Sequence, residues 1–346
     1  MRREIHSTLG RLVTLLLLVA MLLVVLDQVY YLTLYRHDLR EHSPMAELSQ
    51  RPVEEQADVI YLGESSNHNR HEADTDRRTI AQMIDSRLEG HHVADMAHNA
   101  THAGHFYTLM DYVPRSYEGV RVAVVTVNMR SFTSEWIYSN LETPLSKQQV
   151  LMGRGPVLYR RMLLAFKAYL HWSEQEREEL VKQGLRQQFF EPPAGVNCNN
   201  ADEWDYQLFT DYSSRGVSSD TIEMACHYVK CFALTLDGSN PRIRDLDRIV
   251  RLCKQRGWQP VFHILADNEE QMVDMVGPEL VELLHRNAQF VQQRYESMGV
   301  VVVNNQGIVH DADFNDRTFP TEHYAQRGRR AIADAVADAI LQSSLL

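Results

Sequence analysis

Two side chains suited to making and breaking an acyl ester stand near opposite ends of the chain. Ser65 follows a short apolar run, Val59 to Leu62, that stops at Gly63 and gives way to Glu64, Ser65, Ser66, Asn67, His68 and Asn69. His323 stands shortly before the last helical pattern. A serine hydroxyl is a poor nucleophile until an imidazole accepts its proton, so the two residues matter only if the fold brings them together. The bland alternative is a helix-entry loop in which Ser65 or Ser66 caps. A second chemistry is suggested by His68, His71, His98, His102 and His105, with Glu72 and Asp95 nearby. His98 and His102 are four apart, as are His68 and Glu72, the spacing that sets two metal ligands on one helix face. Residues 98–102 read as loop rather than helix, which removes the value of that spacing. The expectation is therefore no metal and no cofactor.

The elements that would position these residues alternate. Val59 to Leu62 reads as a buried strand, and Thr79 to Leu88 as a helix with Ile80, Met83, Ile84 and Leu88 at helical spacing. His92 to Met96 is a short strand, and Asn99 to Gly104 a small-residue loop entering a helix. Val120 to Val127 is the clearest strand and ends at Asn128, Met129, Arg130 and Ser131. From 133 to 240 strand signals fade: Val157 to His171 and Ser173 to Gln183 read as helices, and Pro192 to Tyr212 as irregular. Alternation resumes with helix Ile243 to Gln255, strand Pro260 to Leu265, helix Pro278 to Met298, strand Val300 to Asn304 and helix Gln326 to Leu341. This pattern predicts a three-layer α/β domain with a five-stranded parallel sheet and a helical insertion or cap at 133–240. The loops 63–71, 98–105, 128–131 and 312–323 then converge at one sheet edge, where Ser65 could meet His323.

Ahead of this domain, Leu12 to Leu26 is apolar except for Thr14, and Val29 to Tyr35 extends it past Asp27 and Gln28. A helix over residues 12–35 would be roughly 36 Å long, enough to cross a hydrocarbon core of about 30 Å. No small-x-small cleavage site follows, so residues 1–35 read as an uncleaved transmembrane anchor. Arg2, Arg3 and Arg11 precede the span, and Arg36 and Arg40 follow it, which favours a cytoplasmic N-terminus. Residues 36–346 would then lie outside the cytoplasm, with the domain 57–346 on a polar tether at 36–56 containing Pro44 and Pro52. Asp27 and Gln28 would snorkel or touch another membrane protein.

Of the 346 residues 44% are hydrophobic, enough for a sizeable core, and the formal charge of -11 argues against a nucleic-acid surface. Cys198, Cys226, Cys231 and Cys253 lack CxxC metal spacing. In an oxidising compartment they allow two disulfides in three pairings; buried free thiols are the alternative.

With these blocks in order, the chain resembles the SGNH/GDSL hydrolase superfamily. Leu62-Gly63-Glu64-Ser65 stands where that family has Leu-Gly-Asp-Ser, Asn99-Ala100-Thr101-His102-Ala103-Gly104 resembles its second block, and Pro320-Thr321-Glu322-His323 occupies the place of Asp-x-x-His. The resemblance implies a flavodoxin-like SGNH fold, Ser65 as nucleophile, His323 as base, and Gly104 and Asn128 as oxyanion-hole donors. Arg130, His68 and His102 are the accompanying substrate-binding candidates. Pro320 replaces the orienting Asp, so the site is a dyad, or Asp313, Asp316 or Glu322 reaches the imidazole, or catalysis has been lost; Asp316 is the carboxylate assigned. The implied activity is a serine esterase or O-acyltransferase acting on an ester or acyl-sugar. An anchored member resembles proteins that move acetyl groups on cell-surface polysaccharide beside a membrane-bound O-acyltransferase. Such a member would be a single-pass inner-membrane protein with a periplasmic or extracellular domain. The non-enzymatic rival is a glycan-binding or scaffold domain using Trp136, Tyr138, Tyr159, Tyr169, Trp172, Trp204 and Tyr206.

Overall fold

The computed structural model describes residues 2–316 and 319–346, with side chains from Leu9 onward; Arg317 and Thr318 of the 312–323 loop lie outside the described residues. The chain forms two compact units, one of residues up to Glu47 with Thr143–His171, the other of Leu48–Glu142 with Trp172–Leu346.

The larger unit is built on five parallel strands, β1 (Val59–Leu62), β2 (Val93–Asp95), β3 (Val122–Val127), β4 (Gln259–Ile264) and β5 (Val301–Asn304), in the order β2-β1-β3-β4-β5. Every residue of β1 and β3 is buried, as a strand covered on both faces requires, and this is why their sequences are continuous apolar runs. Side chains alternate between the faces. Val59, Tyr61, Val122, Val124 and Val261 pack with Ile80 and Ile84 of helix Ile80–Asp85 and with Ile332, Val336 and Ile340 of helix Gln326–Gln342. On the other face Phe262 meets Tyr295 of helix Pro278–Glu296 at 4.9 Å between ring centroids. The Tyr295 hydroxyl donates to the Ile243 carbonyl of helix Pro241–Arg256, which in turn packs on helix Ala103–Tyr112. The result is the expected three-layer α/β architecture.

Local chemistry sets the helix ends. Thr79 and Gln82 form a reciprocal capping box at the start of Ile80–Asp85. Asn240 caps Pro241–Arg256, which stops at Gly257 in the left-handed region, φ +73°.

Three sequence expectations change. The 36–56 segment, read as one polar tether, consists of helical pieces at Tyr35–His42, Met45–Leu48 and Arg51–Glu54, with residues up to Glu47 in one unit and those from Leu48 in the other. The stretch read as irregular contains helix Ala201–Ser214, capped by Asn200 and followed by helix Ser219–Phe232. The 133–240 insertion is divided, because Thr143–His171 belongs with the N-terminal segment. All four cysteines are free and buried, and burial pushes the Cys226, Cys231 and Cys253 thiols up to about 12, so they stay protonated at neutral pH.

The smaller unit holds helix Arg2–Thr33, whose stretch Leu9–Thr33 contains an 18-residue window of mean hydropathy 2.7 and is long and apolar enough to cross a membrane. At its C-terminal end Tyr30, with Tyr35, forms a small core with Leu151 and with Val157 and Leu164 of helix Val157–Ala165.

Candidate active site

Strand order reverses between β1 and β3, which opens a crevice at their carboxyl ends. Ser65 begins the 3₁₀ turn Ser65–Asn67 directly after β1. Asn67 pins that turn: its amide donates to both Asp95 carboxylate oxygens at 3.0 and 2.8 Å, and its carbonyl oxygen accepts from Ala81 N–H at 2.9 Å. The nucleophile candidate is thus tied to the end of β2 and to the first covering helix.

His323 is held by an antiparallel bridge between Phe314 and Tyr324, flanked by Asn315 N–H to His323 O and Ala325 N–H to Asp313 O, each 2.8 Å. The bridge carries Asp316 alongside the imidazole. Ser65 Oγ lies 2.9 Å from His323 Nε2, and His323 Nδ1 lies 2.7 Å from Asp316 Oδ2, which also accepts from the Thr321 hydroxyl. Of the carboxylates left open by Pro320, Asp313 instead pairs with Arg327, and Glu322 turns into the interior.

Behind this row lies a buried polar cluster that the sequence reading missed. Glu64 precedes Ser65 and Glu322 precedes His323; Asn128 Nδ2 donates to both, to Glu64 Oε1 at 2.6 Å and Glu322 Oε2 at 2.9 Å. Arg130 donates to the same Glu322 oxygen at 2.6 Å. Glu64, Glu322 and Asp267 place three carboxyls against one guanidinium, all buried. Ionising all three would leave net negative charge in a low dielectric, so protons are retained. Burial and then the Glu322 charge push Glu64 up to about 8, and the same two causes push Asp267 well above the usual carboxylate range.

This arrangement corrects four assignments. Asn128 is not a free oxyanion donor, since its amide hydrogens go to Glu64 and Glu322 and its oxygen accepts Arg130 N–H at 2.9 Å. Arg130 is not a substrate contact; it is buried under Trp136, 4.5 Å from the ring centroid. Gly104 donates its N–H to His102 Nδ1, and a Cβ there would meet the side-chain end of Asp245, Oδ2, at 2.9 Å, so a larger residue would need Asp245 to shift. His102 is buried, capping helix Ala103–Tyr112 and facing Glu142. His68 stays at the edge, partly exposed, its Nε2 2.6 Å from Asn99 Oδ1.

The turn 98–101 docks on Gly63, two residues before the serine. His98 N–H and the Thr101 hydroxyl both donate to Gly63 O, at 3.0 and 2.9 Å, and Ala100 is held at φ +61° between them. A left-handed alanine is a signal available only from the backbone. Among the described residues, neither Ser65 N–H nor Ala100 N–H is donated to another group.

The histidine cluster differs from the spacing considered in the sequence. His102, His105 and Glu142 bring three potential ligand atoms within 4.8 Å of one another, while His98 remains in the loop. Because His102 Nδ1 accepts from Gly104 N–H, the ring proton of the neutral imidazole sits on Nε2, the atom 2.8 Å from Glu142 Oε1. Arg242 already occupies the same carboxylate oxygen at 2.8 Å. Burial lowers both imidazole pKa values well below the ordinary range. The Glu142 charge is thus already matched by Arg242, while His102 Nε2 and His105 Nδ1 are buried without a hydrogen-bond partner among the described residues.

Helices Ala201–Ser214 and Ser219–Phe232 enclose a cleft of about 790 Å³ lined by Tyr206, Phe209, Asp205, Glu223, His227 and Lys230. At its wall His227 packs on Phe319, 4.7 Å between centroids, and Phe319 belongs to the loop that carries His323.

No family model and no curated protein sequence matches the chain. Among solved structures it is similar to a GDSL-like lipase from Bacteroides thetaiotaomicron, at 8% sequence identity and a TM-score of 0.37, over 90% of this chain and 98% of that one. The five parallel strands, their order and their two covering layers carry the fold class by themselves.

Proposed function

We propose that the chain is a membrane-anchored serine esterase or O-acyltransferase that works through a Ser65 acyl-enzyme. The observation that carries this reading is the unbroken row Ser65 Oγ, His323 Nε2, His323 Nδ1 and Asp316 Oδ2, with steps of 2.9 and 2.7 Å on either side of the ring. Ser65 attacks the ester carbonyl while His323 takes its proton; the imidazolium returns that proton to the leaving alcohol, and Asp316 holds the ring in the reactive tautomer. Ser65 N–H and Ala100 N–H are the donors suited to the tetrahedral oxyanion. Water as second acceptor gives hydrolysis, whereas a sugar hydroxyl gives transfer.

Transfer to a glycan is favoured by the cleft at the His323 loop, where the exposed Tyr206 and Phe209 rings stand beside carboxylates. Together with the apolar N-terminal helix, this fits an enzyme that moves acetyl groups on cell-surface polysaccharide outside the cytoplasm, next to a membrane-bound O-acyltransferase. The contact of Asp316 with His323 Nδ1 supports the enzyme over a degenerate binding domain. Treating the full-length protein in detergent with a fluorophosphonate and mapping adducts by mass spectrometry tests the serine chemistry. A single adduct on Ser65, absent from Ser65→Ala, is expected; a folded protein that takes no adduct sinks the proposal.

A further inference from the structure

Asp27 lies inside the apolar stretch Leu9–Thr33, six residues before its end, or about 9 Å along the helix axis. A carboxylate there needs a partner. It finds one in the N-terminus of helix Val157–Ala165, where Leu158 N–H donates to Asp27 Oδ1 at 2.7 Å. The same helix is fixed by Arg161 to Asp38 at 2.6 Å and Arg160 to the Tyr35 hydroxyl at 3.0 Å, with Val157 and Leu164 packed on Tyr30 and Tyr35. Helix Val157–Ala165 therefore starts at a level within the apolar span.

Its opposite face is apolar and uncovered. Tyr159, Met162 and Phe166, at steps of three and four, are 54%, 47% and 77% exposed, and Leu170 in the following turn is 51% exposed. The N-terminal helix, on which helix Val157–Ala165 packs, also exposes Leu26, Val29 and Leu32. Lys167, next to Phe166, supplies a positive charge at the margin, as interfacial helices do.

We infer that helix Val157–Ala165 with its C-terminal turn is a second membrane contact, lying in the lipid interface with Tyr159, Met162, Phe166 and Leu170 among the acyl chains. The inference rests on the anchor reading of Leu9–Thr33. Lipid is the occupant because the exposed face adjoins the span itself and begins at its depth through the Asp27 bond. In this position the element holds the outer end of the anchor at a fixed angle to the bilayer, and it explains the carboxylate in the apolar stretch.

The test uses the full-length protein in nanodiscs of phosphatidylcholine and phosphatidylglycerol doped with a diazirine-acyl phosphatidylcholine, with photo-adducts mapped by mass spectrometry. Adducts are expected both in Leu9–Thr33 and in Tyr159–Leu170, and Phe166→Ser with Met162→Ser should lower the second set about tenfold while leaving the first. Adducts confined to Leu9–Thr33 overturn the inference and leave the anchor standing, the result also expected if a protein partner covers the face. Adducts in neither segment overturn the anchor reading and this inference with it.

Discussion

The carboxylate beside His323 sits seven positions upstream of it, not three, and this displacement defines what each acid at the site does. Asp316 accepts from His323 Nδ1, so replacing it by an amide can present an N–H where an acceptor is needed and reverse the tautomer. Asp316→Asn is expected to lower kcat on a small acyl ester by about 10⁴ with little change in KM. Asp313→Asn, which only loses Arg327, should stay within a few-fold. Equal turnover of Asp316→Asn and the parent protein would remove Asp316 from the mechanism. Glu64 leads to a prediction about stability. Its folded pKa of about 8 exceeds the ordinary value of about 4.3, so as pH rises the unfolded chain loses this proton first. Between those two values the unfolded state binds fewer protons, and stability falls with rising pH. Asp267 contributes with the same sign. Glu64→Gln keeps an acceptor for Asn128 and should flatten, without abolishing, the decline in urea-unfolding free energy between about pH 5 and pH 8. An unaltered slope would show that Glu64 does not hold the proton.

At the scale of elements, legibility in the sequence follows the range of the interactions. β1, β3 and β4 were readable because a strand buried on both faces must be a continuous apolar run, and Ser65 because that run breaks at Gly63. His323 was readable from its place before an alanine-rich helix. Asp316 was assigned from among three carboxylates without a local signature, since what selects it is the Phe314 to Tyr324 bridge. The same limit explains Asn128 and Gly104. Each has the residue type of an oxyanion donor, but Asn128 is claimed by Glu64 and Glu322 from two distant segments, and Gly104 by the side chain of His102. Ala100 was hidden because a left-handed backbone is not written in an alanine. Helix Ala201–Ser214 escaped notice because Tyr206 and Phe209 are exposed while Trp204 is buried, which blurs the apolar stripe; Asn200 followed by Glu203 was the cap signal that could have found it.

At the scale of the whole chain, the smaller unit is assembled from two segments far apart in sequence, and one of them is the apolar helix itself. Removing the N-terminal residues to make the protein soluble therefore does more than cut a tether. A chain beginning at Arg36 loses Asp27, Tyr30 and Tyr35, and with them the acceptor for Leu158 N–H, the hydroxyl that Arg160 reaches and the rings that cover Val157 and Leu164. Losing two buried aromatic side chains and a charge-assisted hydrogen bond amounts to about 3 kcal/mol or more, beyond what a unit of this size can absorb. Amide exchange across Thr143–His171 is expected to accelerate by about 10²-fold or more in that chain, as read by hydrogen-deuterium exchange against the full-length protein in nanodiscs. The segments that build the Ser65 and His323 site belong to the other unit and have their own core, so fluorophosphonate labelling of Ser65 should persist. Unchanged protection of Thr143–His171 would mean that the N-terminal helix is a passive tether after all. Loss of labelling together with protection would mean that the two units fold as one.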